Sequence, residues 1–274
     1  MDTLEEIVSC MKCDTPNDPI QRHQTAHRME IAERFNLKEG ERILEIGCGQ
    51  GDMTAVLASI VGPSGCVHAV DIASPDYGAP FTLKEAMDHL CASPLGRSIH
   101  VQFETDVLDD AFHGTYDAVV LTHSLFYFKS SDQLLEVLEK AARLSNKICV
   151  AEWDISPLEP SQMAHSLAIL IQSIYTQYAD TEGNIQTVFS LEDIVSLLQK
   201  AGWGQHSVSK IESPELEDGK WEIQEAEWLL KHTSSLPAEV TPVFFQLEKW
   251  LSKAVSSAGP HSCPVFVLTA DVKE

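Results

Sequence analysis

The chain has 274 residues, of which 44% are hydrophobic, and this is enough apolar material for one compact domain with insertions. Its 41 acidic residues outnumber 19 basic residues and give a formal net charge of -22, which argues against nucleic acid and anionic membranes as partners, because both would be repelled. The acidic start lacks a signal-peptide pattern, and the seven scattered cysteines are typical of reduced thiols, so a cytoplasmic protein is predicted.

Residues 1–20 have a weak pattern and end in a cluster of helix-breaking residues between Thr15 and Pro19. They are predicted to form a mobile segment ahead of a single domain over residues 21–274. Cys10 and Cys13 form a CxxC pair, but no second Cys or His pair follows at the spacing of a zinc site. The prediction is therefore two free thiols and no metal site, and the role of the pair is left open.

A helix is predicted over residues 21–35, because apolar residues recur there at helical spacing. Two stripes run along it, one made of Ala26, Met29, Ala32 and Phe35 and the other of Gln24, His27, Arg28 and Ile31. His23, His27 and Arg28 either face a ligand or lie on a solvated face, and the sequence leaves both interpretations open.

Residues 43–52 predict a buried strand, a glycine-rich turn and the start of a helix, as in nucleotide-binding α/β units. A dinucleotide site would have a glycine at position 52, where the carboxylate of Asp52 would instead repel a pyrophosphate. The Gly-Lys-Ser/Thr ending of a phosphate-binding loop is absent as well. Glu45 and Asp52 would tolerate a cationic ligand, and S-adenosylmethionine is one because it carries a sulfonium and an ammonium.

Strands and helices alternate through the rest of the chain, which predicts a parallel sheet covered by helices on both sides. Further strands are predicted at residues 66–72, 99–103, 116–123, 147–151 and 264–270. Helices are predicted to begin after Thr82, which forms a capping box with Glu85, and after Ser130 and Ser190.

Four motifs in this order resemble the class I (Rossmann-like) S-adenosylmethionine-dependent methyltransferases of small-molecule type. They are the glycine loop at 45–51, the strand at 66–72 that ends in an acidic residue, and the segments at 101–107 and 116–123. The resemblance extends from about residue 37 to the C-terminus. It implies an α/β fold with a doubly wound, seven-stranded, mostly parallel sheet whose last strand is antiparallel, and S-adenosylmethionine as the cofactor.

The resemblance also implies where the cofactor binds. The loop backbone would meet the methionine ammonium near Glu45, through Gly47, Cys48, Gly49 and Gly51. Asp71 would hold the ribose hydroxyls with Ile72 along the adenine face, while Asp106 would accept from the adenine amine and the backbone of Val107 would meet the ring. The alternative for each acidic residue is an ordinary carboxylate at a strand end or turn.

His123 is the best candidate for a catalytic base, because it follows the fourth strand and because histidine changes charge near neutral pH. It would equally serve by contacting the methionine part of the cofactor, so it is also counted among the cofactor-binding residues. Tyr127 and Trp153 are predicted to face the substrate, in an aromatic wall that includes Phe126 and Phe128.

Two insertions into the minimal fold are predicted, at about residues 157–189 and 214–260. The first contains a helix at 161–178, which is predicted to close over the carboxyl ends of the strands as a substrate lid. The apolar stripe of this helix consists of Met163, Leu167, Leu170, Ile171, Ile174 and Tyr178. The second carries aromatic residues at helical spacings, which are predicted to pack in the core: Trp221, Trp228, Phe244, Phe245 and Trp250.

The sequence thus predicts transfer of a methyl group to an oxygen or nitrogen of a small, apolar or aromatic molecule, such as a secondary metabolite. The small acceptor is the expected partner, with no nucleic acid and no membrane. The alternative is a protein that binds S-adenosylmethionine without methylating, as a regulatory subunit or as an enzyme that uses the sulfonium electrostatically. The sequence does not indicate the acceptor or the oligomeric state.

Overall fold

A seven-stranded sheet forms the centre of the computed structural model, which describes residues 3–13, 15, 18–156, 159–179 and 185–273. The strands are β1 (Arg42–Ile46), β2 (Cys66–Val70), β3 (Ile99–Gln102), β4 (Ala118–Thr122), β5 (Lys147–Trp153), β6 (Trp203–Ile211) and β7 (Val265–Val272). Their order is β3-β2-β1-β4-β5-β7-β6, and β7 pairs antiparallel with both of its neighbours while the other pairs are parallel. The predicted doubly wound sheet with an antiparallel last strand is confirmed.

Helices cover both faces of this sheet. They are α1 (Leu4–Ser9), α2 (Pro19–Phe35), α3 (Asp52–Val61), α4 (Leu83–Cys91), α5 (Ser131–Leu144), α6 (Met163–Tyr178), α7 (Leu191–Lys200), α8 (Asp218–Lys231) and α9 (Thr241–Ala258). The predicted caps are present: Thr82 Oγ1 accepts the N–H of Glu85, and Ser130 and Ser190 cap α5 and α7 in the same way. Among the described helices, none is long and apolar enough to cross a lipid bilayer.

The N-terminal segment, for which a mobile stretch was predicted, contains the helix α1. Thr3 forms a capping box with Glu6 at the start of α1, and Ile7 of that helix is completely buried in the main core. Cys10 is buried as well, and Cys13 is half-buried, with its Sγ donating to the carbonyl of Met11. This helix was not predicted, because α1 has only six residues and is too short to show an apolar period in the sequence.

Two apolar cores hold the fold together. The main core surrounds the sheet, where β4 and β5 are buried over almost their whole length because helices cover both faces. The second core lies between α6, α8 and α9, so the two predicted insertions pack against each other. Ala168 and Ile171 of α6 and Phe244 of α9 are at most 1% exposed.

The exposure of the aromatic residues in α8 and α9 contradicts the prediction of core packing. Phe244 alone of the five is buried, whereas Trp221, Trp228, Phe245 and Trp250 are each about half exposed. The apolar stripe predicted on α6 is also only partly correct, because Met163, Leu170 and Tyr178 are exposed and small residues are buried in their place. In both cases helical spacing identified the helix without identifying the face that another helix covers.

Candidate functional site

The carboxyl ends of β1 and β4 lie side by side at the point where the strand order reverses, which is where open α/β sheets bind ligands. The glycine loop follows β1 and leads into α3. A Cβ atom on Gly47 would lie 2.7 Å from Cβ of Ser124, so close packing against the loop after β4 requires glycine there. At Gly49 a Cβ would meet open space, and glycine is favoured there by its positive φ of 51°.

Asp71 fixes this loop from the end of β2. Its Oδ2 accepts the N–H of Gly49 at 2.8 Å, and its Oδ1 accepts the N–H of Ala73 at 2.9 Å. Each carboxylate oxygen keeps capacity for a further donor. The structure therefore places Asp71 beside the glycine loop with its carboxylate held in one orientation, and the predicted role at the ribose stays a prediction.

Next to Asp71, the side chain of Ile72 is 64% exposed, which is unusual for an isoleucine at the end of a buried strand. Asp106 is half-buried and its Oδ1 accepts the N–H of Leu108 at 2.9 Å, while Val107 is buried. Ile72 thus presents an exposed apolar side chain directly after the carboxylate of Asp71.

Two residues of this segment, Glu45 on β1 and Cys48 in the loop, have buried side chains. Glu45 is 2% exposed, and its Oε2 accepts the hydroxyl of Thr54 at 2.6 Å. Burial raises the pKa of Glu45 to about 8 against the opposing effect of Thr54, so a nearby cation would favour its ionised form. Burial also raises the pKa of Cys48 well above its ordinary value, so this residue is a thiol and not a thiolate.

His123 occupies a strained position directly after β4. Its φ is 51°, in the left-handed region that few residues other than glycine adopt, and its N–H donates to the carbonyl of Ala151. Its Nδ1 lies 3.5 Å from Oε1 of Glu152. In that carboxyl group, Oε1 accepts the N–H of Trp153 and Oε2 accepts the N–H of Leu125. Burial lowers the pKa of His123 well below its ordinary value, and burial raises the pKa of Glu152 to about 7.

Buried polar atoms without a partner are concentrated in this region. Among the described residues, those with no hydrogen-bond partner are Gln24 Oε1, His27 Nε2, Arg28 Nη1, Thr122 Oγ1, His123 Nδ1, His123 Nε2 and His165 Nε2. They come from one face of α2, the end of β4 and the start of α6. A buried polar group without a partner costs about 1–3 kcal/mol, so this cluster is a place where a ligand or ordered water would be stabilised by supplying the missing partners.

Three imidazoles of this cluster surround Trp153 at the end of β5. The ring centroid of Trp153 lies 4.6 Å from that of His123, 5.1 Å from that of His165 and 6.1 Å from that of His27. Burial lowers the pKa of His27 to about 2 and that of His165 to about 3, so both are neutral at physiological pH. In the described part of the chain, no group of three or more His, Cys, Asp or Glu residues is arranged to hold a metal ion.

The inner face of α2 closes the site from above. Nε2 of Gln21 donates to Oδ1 of Asp52 at 2.8 Å, and the amide of Gln24 donates to Asp218 of α8. Nδ1 of His27 and Oγ of Ser213 share a hydrogen bond of 2.8 Å. Of the two alternatives left open by the sequence, the structure therefore supports an inward-facing side for His27, while His23 is exposed.

Arg28, also on α2, is 8% exposed, and its positive charge acts on four groups of the site. It favours the ionised forms of Glu45 and Glu152. It also favours the neutral forms of His27 and His123. The stripe of Gln24, His27, Arg28 and Ile31 was visible in the sequence, but its polar members gave no sign of burial. For Arg28, the structure therefore supports the ligand-facing alternative that the sequence left open.

The two predicted substrate residues lie in different surroundings. Trp153 is 6% exposed within the histidine cluster, whereas Tyr127 is 53% exposed beyond it. No ring contact joins them in the part of the chain that the structure describes, so the predicted aromatic wall is not formed. Phe126 is buried and Phe128 packs against the main core, so Tyr127 is the exposed residue of this run.

Glu222 on α8 is a further carboxyl group that the sequence analysis did not assign to the site. Burial raises the pKa of Glu222 to about 7, and the side-chain amide of Gln172 donates to its Oε2 at 2.5 Å. It lies close enough to the phenol of Tyr127 for the two groups to interact electrostatically. The second predicted insertion thus reaches the region of Tyr127.

An open cleft of about 510 Å³ lies elsewhere, at the amino-terminal ends of β1, β2 and β3. Its lining includes Glu33, Lys38 and Arg97 and none of the predicted site residues. The glycine loop, the unpartnered polar atoms and the strained histidine all lie at the opposite ends of the strands, so we assign the site there.

The sequence profile of a family described as "Methyltransferase domain" matches residues 21–208. The chain is 32% identical over 156 residues to "Methyltransferase phomM'" of Diaporthe leptostromiformis, an alignment that covers 48% of this chain and 40% of that protein. The chain therefore spans less than half the length of this curated relative.

Two solved structures are similar over most of the chain. A cyclopropane-fatty-acyl-phospholipid synthase-like protein from Lactobacillus casei is 37% identical, with a TM-score of 0.88 and 98% of each chain covered. A phosphoethanolamine N-methyltransferase 2 of Haemonchus contortus, solved with phosphomonomethylethanolamine and S-adenosylhomocysteine, has a TM-score of 0.51 at 19% identity and covers 91% of this chain and 53% of its own. The second similarity concerns the fold alone.

Proposed function

The chain belongs to the methyltransferase-domain family, and from that premise we propose that it transfers a methyl group to an oxygen or nitrogen of a small, apolar or aromatic molecule. The family supports S-adenosylmethionine as the cofactor, as the sequence predicted. One observation carries the proposal: the unpartnered buried polar atoms gather beside the glycine loop, at the strand ends where the acceptor and the methyl group must meet.

The residues present fit the cofactor. Gly47, Cys48, Gly49 and Gly51 leave a backbone turn above the buried carboxyl of Glu45, which suits an ammonium group. Asp71 offers a fixed carboxylate to the ribose, Ile72 an exposed apolar surface to the adenine, and Asp106 with Val107 the edge of that ring. Nη1 of Arg28 has no partner and is suited to the carboxylate of the cofactor.

Bound S-adenosylmethionine supplies an electrophilic methyl group on its sulfonium. The protein then has to align the acceptor and exclude water, because methyl transfer is an in-line displacement. The unpartnered nitrogens of His27, His123 and His165 are shielded from solvent, which satisfies the second requirement. For a hydroxyl acceptor, Nε2 of His123 takes the proton, and the carboxylate of Glu152, 3.5 Å from Nδ1, stabilises the positive charge that the ring then carries.

The lid proposal concerns α6, with α2 as a second cover. α6 contributes His165 to the cluster at one end and packs against α8 and α9 along the rest of its length. α2 contributes His27 and Arg28 and is joined to the other side of the site by hydrogen bonds from Gln24 and His27. Both helices would have to move for ligands to enter, because the polar atoms that they present are inaccessible.

The test is transfer of the labelled methyl group of S-adenosylmethionine into a small-molecule extract, followed by fractionation by size. We expect label in the low-molecular-mass fraction with the wild-type protein and none with heat-denatured protein. Calorimetry with S-adenosylhomocysteine runs in parallel. Tight binding without any transfer to a broad set of extracts would reject methylation and favour the alternative of a cofactor-binding protein that does not methylate.

A further inference from the structure

His165, near the start of α6, is a buried histidine with a defined proton position. The N–H of Cys263 donates to Nδ1 of His165 at 2.8 Å, so Nδ1 is an acceptor and carries no proton. Because the ring is neutral, its proton must be on Nε2. Nε2 therefore is an N–H donor, and it has no hydrogen-bond partner although the residue is completely buried.

The position of this donor relates it to His123. Both rings contact Trp153, with centroid distances of 5.1 Å for His165 and 4.6 Å for His123, so the two imidazoles are neighbours of the same indole ring. Nε2 of His123 is also unpartnered, while its Nδ1 faces Glu152. The cluster thus presents one proton acceptor and one fixed proton donor around an indole ring.

We propose that the Nε2–H of His165 is the specificity-determining donor of the acceptor site, and that it selects aromatic acceptors which carry a hydrogen-bond-accepting oxygen in addition to the atom that is methylated. This inference rests on the proposed function. The oxygen is a carbonyl or a similar neutral group, because both imidazoles are neutral and Arg28 is available to the carboxylate of the cofactor. Without such an oxygen the donor stays buried and unpaired, which weakens binding.

The experiment compares two phenols of similar size, 4-hydroxyacetophenone and 4-ethylphenol, which differ in the presence of a carbonyl oxygen. Their Kd values are measured by calorimetry on the full chain saturated with S-adenosylhomocysteine. We expect the wild-type protein to bind the ketone about tenfold more tightly, which corresponds to about 1.4 kcal/mol. In His165→Phe the two Kd values become equal. In His165→Gln, whose amide places an N–H at a similar reach, the preference returns.

Nitrogen NMR of the imidazoles provides a readout that a purely structural role would not change. The Nε2 signal of His165 is expected to be protonated in the free protein and to shift on addition of the ketone, with no shift on addition of 4-ethylphenol. The affinity of His165→Phe for S-adenosylhomocysteine should stay within about twofold of wild type. If His165→Phe does not fold, the wild-type preference, His165→Gln and the NMR shift decide.

The proposal is overturned if wild-type protein binds neither phenol, if it binds both equally, or if His165→Phe keeps the preference. The last result would mean that the donor is directed at the face of Trp153, whose ring meets His165 at an interplanar angle of 73°. A preference that depends on His165 without methyl transfer to any extract would reject the proposed function alone. Transfer without a preference would reject this inference alone.

Discussion

Replacing Asp71 by alanine tests both the loop and the cofactor assignment. The carboxylate accepts the N–H groups of Gly49 and Ala73, so the substitution removes two hydrogen bonds that fix the glycine loop against β2. It also removes the group proposed to hold the ribose. We therefore expect two separate effects, one on the stability of the ligand-free protein and one on cofactor affinity.

The magnitudes follow from the contacts of Asp71. A hydrogen bond to a charged group contributes about 1.5–3 kcal/mol, and water replaces part of it because Asp71 is only half-buried. The loss of two such bonds lowers the free energy of unfolding by about 2–4 kcal/mol, which lowers the Tm by about 5–10 °C for a chain of this size. The missing ribose contacts raise the Kd for S-adenosylhomocysteine by about 10–100-fold.

Calorimetric titration with S-adenosylhomocysteine and a thermal melt measure the two effects. Asp76→Ala is the matched control, because it removes the same charge from an exposed position of the segment that follows β2. We expect it to leave both the Tm and the Kd near wild type. A folded Asp71→Ala protein with an unchanged Kd would refute the cofactor assignment, and an unchanged Tm would refute the role in fixing the loop.

Three further predictions concern other parts of the molecule. His123→Asn should lower kcat about 10²–10⁴-fold with an identified hydroxyl acceptor. Asparagine tolerates the positive φ at this position, so the Kd for S-adenosylhomocysteine should stay within a few-fold of wild type. Unchanged turnover would exclude His123 as the base. Burial raises the pKa of Glu45 to about 8, so at this residue the folded protein holds a proton that the unfolded chain loses. The free energy of unfolding therefore falls as the pH rises from about 4.5 to 8. Glu45→Gln should flatten the corresponding decline in Tm, and a Tm profile identical to that of the wild type would contradict this. Phe244→Ala should lower the free energy of unfolding by about 3–5 kcal/mol, because Phe244 is buried, whereas Phe245→Ala at the exposed neighbour should lower it by less than about 0.5 kcal/mol. Equal losses for the two variants in urea denaturation would contradict the orientation of α9.

The sequence by itself determined six of the seven strands, all except β6, and the chemistry of the glycine loop. Strand β1, the loop and α3 are consecutive, so their apolar period and glycine spacing describe one continuous piece of structure. The caps at Thr82 and Ser130 are equally local, and their hydrogen bonds are formed as predicted. The acidic residues near the loop identified a cationic ligand, because charge is a property of the residues themselves.

Only the tertiary structure decided which polar residues share the site. His27, His123 and His165 belong to α2, the end of β4 and α6, and they meet because the two helices fold over the same end of the sheet. Nothing in the sequence near Arg28 or Glu222 distinguishes a buried charge from a solvated one. Likewise, helical spacing located α8 and α9 but placed Trp221 and Trp250 in the core, although both are exposed. A periodic pattern defines the faces of one helix, whereas the face that becomes buried depends on which distant element packs against it.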